Sequence, residues 1–141
     1  MSPGHIEYGR PLIDAVLATA ARLDSSWIFR FGPEIEIATE AVWRLTRDRR
    51  IVVTSEDHGH PFGRSEPVDA VKRLFSSLEG RVVTAAAIDT STGDLSIDFG
   101  EQARLQFLQV SSGYESWRLT VRGTETICLG GGEVAHFGGC R

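Results

Sequence analysis

The chain has 141 residues, 41% hydrophobic and 24% charged, with 15 Lys and Arg against 19 Asp and Glu for a formal charge of −4. That size suits one domain burying about 68–70% of its unfolded surface, and the composition excludes disordered, collagen-like and disulfide-scaffold classes. The acidic excess argues against a nucleic-acid partner, which would need a basic face for the phosphate backbone.

Leu12 to Ala21 is fairly apolar, but Asp14 interrupts it and no basic cluster precedes it. An export signal is therefore not expected, although the small residues Ala18 to Ala21 leave it as the alternative to a cytoplasmic location. Nothing in the chain has the uninterrupted apolar length of a membrane span. Alanine content and Pro11 favour a helix over residues 11–23 on propensity alone. Ser26 to Phe31 and Glu34 to Thr39 alternate polar and apolar residues around Gly32-Pro33, the pattern of a hairpin. Val42 to Thr46 and Arg50 to Thr54 flank a second turn, Arg47-Asp48-Arg49.

A helix is expected over about 67–79, with Pro67 in its first turn and Ser65 or Glu66 as its cap. Val68, Val71, Leu74, Phe75 and Leu78 make one apolar stripe, and Gly80 is the left-handed stop. Beyond it, Arg81 to Ile88, Leu95 to Phe99, Arg104 to Val110, Tyr114 to Val121, Thr126 to Leu129 and Glu133 to Phe137 read as strands. Glycines punctuate the turns between them, up to the run Gly130-Gly131-Gly132. Short strands so spaced make a meandering antiparallel sheet, and with one helix the fold class is α+β.

An internal repeat organises these strands. Thr19-Ala20-Ala21 matches Thr84-Ala85-Ala86, Phe29-Arg30-Phe31-Gly32 matches Ile97-Asp98-Phe99-Gly100, and Trp43-Arg44-Leu45-Thr46 matches Trp117-Arg118-Leu119-Thr120. The words recur in order, with length differences near Gly93 and Gly113, where hairpin tips tolerate them. One domain is expected, with β-meander repeats at about 9–54 and 80–137 related by a pseudo-twofold and joined by the helix. On this evidence Leu17 to Leu23 is expected to be a strand, with helix as the alternative.

The most polar segment, Ser55 to Ser65, holds the pair His58-Gly59-His60. Alternate histidines on a strand can share a Zn²⁺, but Gly59 and Pro61 favour a loop and no third ligand follows. His58 and His60 are therefore weak metal candidates, and neither a metal nor another cofactor is expected. Cys128 and Cys140 form no C-x-x-C motif; a buried Cys128 and an exposed Cys140 are expected, with a disulfide or reactive thiol as the alternative. No G-x-S-x-G or phosphate-binding loop occurs, so no catalytic residue is assigned. Glu34 and Glu36 are expected on one strand face. Trp43 and Trp117 occupy equivalent positions of the two halves. They suit a core between the repeats, or, with Tyr114 and Glu115, a contact surface for a ligand or partner.

The stretch Leu78 to Glu133 resembles a family of small bacterial proteins of uncharacterised function. The likeness is carried by Leu78-Glu79-Gly80-x-x-Val83, Leu95-x-Ile97-x-Phe99-Gly100 with Leu105, Tyr114-Glu115-x-Trp117-x-Leu119 and Gly131-Gly132-Glu133. Family members usually have Pro before the glycine pair and Trp soon after it, where this chain has Gly130 and Phe137. The resemblance implies an α+β fold and supplies no substrate.

Two functions fit. A small acidic chain without active-site motifs suits a protein-binding role, such as an immunity-protein-like inhibitor of a toxin. The alternative is a small-ligand module with a pocket between the repeats, near Trp43, Trp117 and Tyr114. Edge strands also offer a route to a homodimer.

Overall fold

The computed structural model describes residues 11–138. The period-two segments become strands β1 (Thr19–Leu23), β2 (Ser26–Arg30), β3 (Ile35–Thr39), β4 (Trp43–Arg47) and β5 (Arg50–Thr54). Helix α1 (Ala70–Leu78) follows. The chain continues through β6 (Ala85–Ile88), β7 (Leu95–Phe99), β8 (Ala103–Phe107), β9 (Trp117–Val121), β10 (Thr124–Cys128) and β11 (Val134–Phe137). The fold is α+β, dominated by two antiparallel sheets. One has the order β1-β2-β3-β9-β10-β11 and the other β5-β4-β8-β7-β6. Each sheet thus takes three consecutive strands from one side of the helix and completes itself with strands from the other.

Alternation decides what lies between the sheets. Phe29, Ile37 and Leu119 turn inward from the first sheet, and Leu45, Val53, Ile97 and Leu105 from the second; all are fully or almost fully buried. The sheets meet through rings. Phe29 lies edge-on to Phe107 at 5.0 Å and to Trp43 at 5.4 Å, and Trp27 is edge-on to Trp43 at 5.3 Å. Such edge-to-face pairs add roughly 0.5–1.5 kcal/mol each beyond the area they bury. Two-residue turns with both residues left-handed, Asp48-Arg49 and Arg122-Gly123, join β4 to β5 and β9 to β10. That geometry matches the twist of the flanking strands.

The structure shortens several elements. Residues 19–23 are strand and not helix, paired along their length with β2. The helix starts at Ala70 and not near Pro67, and its cap is Asp69, whose carboxylate accepts from the Lys72 amide, not Ser65 or Glu66. Val68 cannot be helical because both its backbone groups are engaged elsewhere: its amide donates to the His60 carbonyl and its carbonyl accepts from the Gly59 amide. At the far end Glu79 already adopts the left-handed conformation, one residue before Gly80. Ala70, Leu74 and Leu78 are buried, and the helix packs beside β5. The Arg47 guanidinium at the tip of β4 donates to the Ser77 carbonyl at 2.9 Å, tying hairpin to helix. The strand expected from Arg81 shortens to β6, leaving Val82 in an isolated bridge to Val16. That expected from Tyr114 begins at Trp117, because the Tyr114 amide is taken by the Ser111 hydroxyl.

The first and last glycines of the run Gly130 to Gly132 pack where no side chain fits. A Cβ on Gly132 would stand 2.5 Å from the Thr92 carbonyl oxygen, at a φ of +100°, and one on Gly130 would stand 2.6 Å from the Gly113 Cα. Both obstacles are backbone, so neither can swing aside. Gly132→Ala should therefore lose about 2–4 kcal/mol of stability, combining left-handed strain with overpacking. Thermal unfolding checks this; a melting temperature within a degree or two of wild type would refute it.

Candidate functional site

Register builds the outer face of the six-stranded sheet. One row across it reads Thr19, Arg30, Glu36, Thr120, Glu125 and Phe137. The next reads Ala21, Ile28, Ala38, Arg118, Ile127 and Ala135. These rows alternate with the inward-facing ones, so they point away from the space between the sheets, although Ile127 among them is buried. Over the β3–β9 seam the surface is concave, a groove of about 840 Å³ walled at one end by residues 109–116. Glu36, Glu40, Glu115 and Glu125 line it, with Arg118 as the one cationic lining residue.

Arg118 stands 3.7 Å from Glu115 and 3.9 Å from Glu125. Glu36 is held by Arg30 at 3.0 Å and Glu40 accepts from the Ser26 hydroxyl at 3.3 Å. Glu34 lies in the turn before β3 and pairs with Arg122 at 2.7 Å, so Glu34 and Glu36 answer to different arginines.

The wall is built around Gln109. Its backbone amide donates to Asp94 at 2.8 Å, and its side-chain amide donates to the Leu129 carbonyl at 2.7 Å and the Tyr114 carbonyl at 3.0 Å. Its own side-chain carbonyl accepts from the Ser111 amide at 2.8 Å. The Ser116 hydroxyl donates to the Leu108 carbonyl at 2.6 Å. From this braced loop Tyr114, 81% exposed, and Val110, 62% exposed, project at the groove.

The structure divides the six residues singled out by sequence. Tyr114 and Glu115 stand at the groove. Trp117 is fully buried, its indole N–H donating to the Gly93 carbonyl at 2.8 Å. Trp43 is fully buried in the aromatic cluster, and its indole N–H has no hydrogen-bond acceptor among the described residues. His58 lies edge-on to Trp27, and its Nδ1 accepts from the Ala70 amide at 3.0 Å, a bond that commits this nitrogen to the first turn of the helix. His60 instead stacks on Phe62. Among the described residues no group of three or more His, Cys, Asp or Glu side chains is placed to hold a metal ion. Also among them, no helix is long and apolar enough to cross a membrane. Cys140 lies outside the described residues.

Sequence reasoning missed Glu40, Gln109, Val110 and Glu125. Arg118 was legible from its alternation with Trp117, but Glu125 joins it only through the pairing of β9 with β10.

A profile of a family of unknown function (DUF6188) matches residues 12–138. The chain belongs to the DUF6188 family. Neither a curated protein nor a solved structure matches it. Within this DUF6188 chain, the Tyr114-to-Leu119 segment supplies the groove wall at Tyr114 and Glu115 and the floor at Arg118. The Gly130-to-Gly132 run backs that wall by packing on Gly113.

Beneath the loop, Cys128 is fully buried, with its thiol donating to the Gly93 carbonyl at 3.4 Å. Burial pushes its pKa up, the hydrogen bond from Gln109 opposes this, and Asp94 adds to the rise. The folded state therefore keeps a proton that the unfolded chain releases in the ordinary thiol range, near about 8.5. Stability from this group is complete below that range and is lost as pH climbs toward the folded value. Thermal unfolding should show a falling melting temperature above about pH 8.5, with a smaller fall in Cys128→Ala. An equal fall in both proteins would refute the assignment.

Proposed function

We propose that this DUF6188 chain is a non-catalytic protein-binding module, an immunity-protein-like inhibitor of a toxin, and that the groove over the β3–β9 seam is its contact surface. The observation that carries this reading is Tyr114, a large amphipathic side chain held out in solvent by a loop whose backbone is tied down on both sides. Tyrosine is enriched at the centres of protein interfaces because it offers much contact area for little conformational entropy. A braced loop reduces the ordering cost further. Glu115 beside it supplies a charged contact at the same rim.

A photo-crosslinking residue at position 114, expressed in cells of the source organism, tests the reading against the same residue at position 96 on the opposite sheet. A discrete protein adduct is expected from position 114 alone. Its absence, or the same adduct from both positions, would overturn the proposal. If the captured partner is toxic, co-expression of the wild-type chain should restore growth, and Tyr114→Ala with Glu115→Ala should not.

A second reading has its own support: the groove draws its lining from strands on both sides of the helix, Glu36 to Ala41 and Gln109 to Glu125. A pocket between two halves is the small-ligand alternative. The strand exchange also supports, as part of this proposal, a duplicated unit, since β1-β2-β3 with β9-β10 in one sheet mirrors β6-β7-β8 with β4-β5 in the other. A thermal-shift screen of metabolites should then find a compound that raises the melting temperature of wild type but not of Glu36→Ala. A screen without such a compound removes this reading.

A further inference from the structure

We infer that the groove's occupant is a cationic segment of another protein. This rests on the groove being the binding surface and specifies the chemistry of its partner.

The outer face of the six-stranded sheet carries an apolar row, Ala21, Ile28, Ala38 and Ala135, interrupted by one charge at Arg118, while Ile127 of the same row is buried. Within the groove Ala38, Ala41, Val110 and Tyr114 supply the apolar lining. Charge decides what complements it. Glu36 and Glu125 flank the apolar row on one side, and Glu40 and Glu115 close its loop end, so four carboxylates line the groove against one guanidinium. Arg30 at the groove's edge pairs with Glu36 and Arg118 with Glu115 and Glu125, so the four carboxylates outnumber the guanidinium groups that meet them and the surface stays net negative. A cationic segment with apolar residues between its charges complements it, and an anionic one is repelled.

Arg118 shows how such a contact is made. It reaches Glu115 and Glu125 at 3.7 and 3.9 Å, and all three side chains remain substantially exposed. Loose, solvated pairs of this kind contribute little to folding. They are readily re-partnered, so an incoming arginine or lysine can take up these carboxylates without disturbing the sheet. Val110 and Tyr114 at the wall then cover the apolar part of the same segment.

Fluorescence anisotropy with a short labelled peptide alternating arginine and valine tests the inference, with a matched glutamate–valine peptide beside it. The arginine peptide should bind and the glutamate peptide should not, and binding should weaken with added salt. The double variant Glu36→Gln with Glu125→Gln should bind it on the order of tenfold more weakly, while Glu56→Gln, away from the groove, should match wild type. Circular dichroism establishes that each variant is folded. Failure of the arginine peptide to bind, or equal binding by the double variant, would overturn the inference. So would self-association removed by the same double variant in sedimentation, which would assign the groove to a second copy. A crosslinked partner at position 114 combined with no preference for the arginine peptide would leave the groove as an interface and remove only its cationic specificity.

Discussion

Two strand pairings hold the rest of the molecule in place: β3 with β9, and β4 with β8. Without them each sheet falls into two fragments, and the aromatic contacts between layers lose the strands that carry them. Phe29 reaches Phe107 and Trp43 only because β2, β8 and β4 are brought into two facing sheets. The same pairings select the surface chemistry. Strand side chains alternate strictly, so slipping β9 by one residue against β3 would bury Arg118 and expose Leu119. The cost of that exchange fixes the register, and the register fixes which carboxylates share the groove.

The second organising feature is the cluster of loops at one end of the sandwich. The Gly93 carbonyl receives both the Trp117 indole and the Cys128 thiol, and the glycine run closes over it with backbone against backbone. The turn that presents this carbonyl is held by Asp89. Its carboxylate accepts from the Ser91 hydroxyl and from the Ser91 and Thr92 amides, and those bonds hold its pKa below the usual carboxylate range. The loop that carries Tyr114 is thereby braced from beneath, and its backbone is tied to Gln109 and Ser111.

Much of the architecture was legible in sequence because burial on one face imposes period two on each strand, and that signal is local. Trp43, Leu45 and Trp117, Leu119 declare their strands and their inward face without any knowledge of neighbours. What stayed hidden depended on tertiary partners. Pro67 and Val68 look like a helix start until the loop at His60 claims the backbone of Val68. Tyr114 and Glu115 look like strand until Ser111 bends the chain away from the ladder. The groove was visible in part: Tyr114 and Glu115 stand out as residues, but their company does not. Glu36 and Glu40 come from β3 and its end, and Glu125 from β10, so no local pattern joins them.

The strand exchange between the sheets also sets the order of events in folding. The Thr39 hydroxyl donates to the Ser116 carbonyl 77 positions away, and Arg44 donates to Gln106 across 62. Contacts of such separation close large loops before they return any stabilisation, which slows folding relative to a chain of local hairpins. During synthesis β3 and β4 leave the ribosome with one edge each unpaired, and their partners are not made until the helix and the next strands have followed. The nascent chain must therefore carry two open sheet edges through much of its own translation, a period in which hairpins can form but the sandwich cannot.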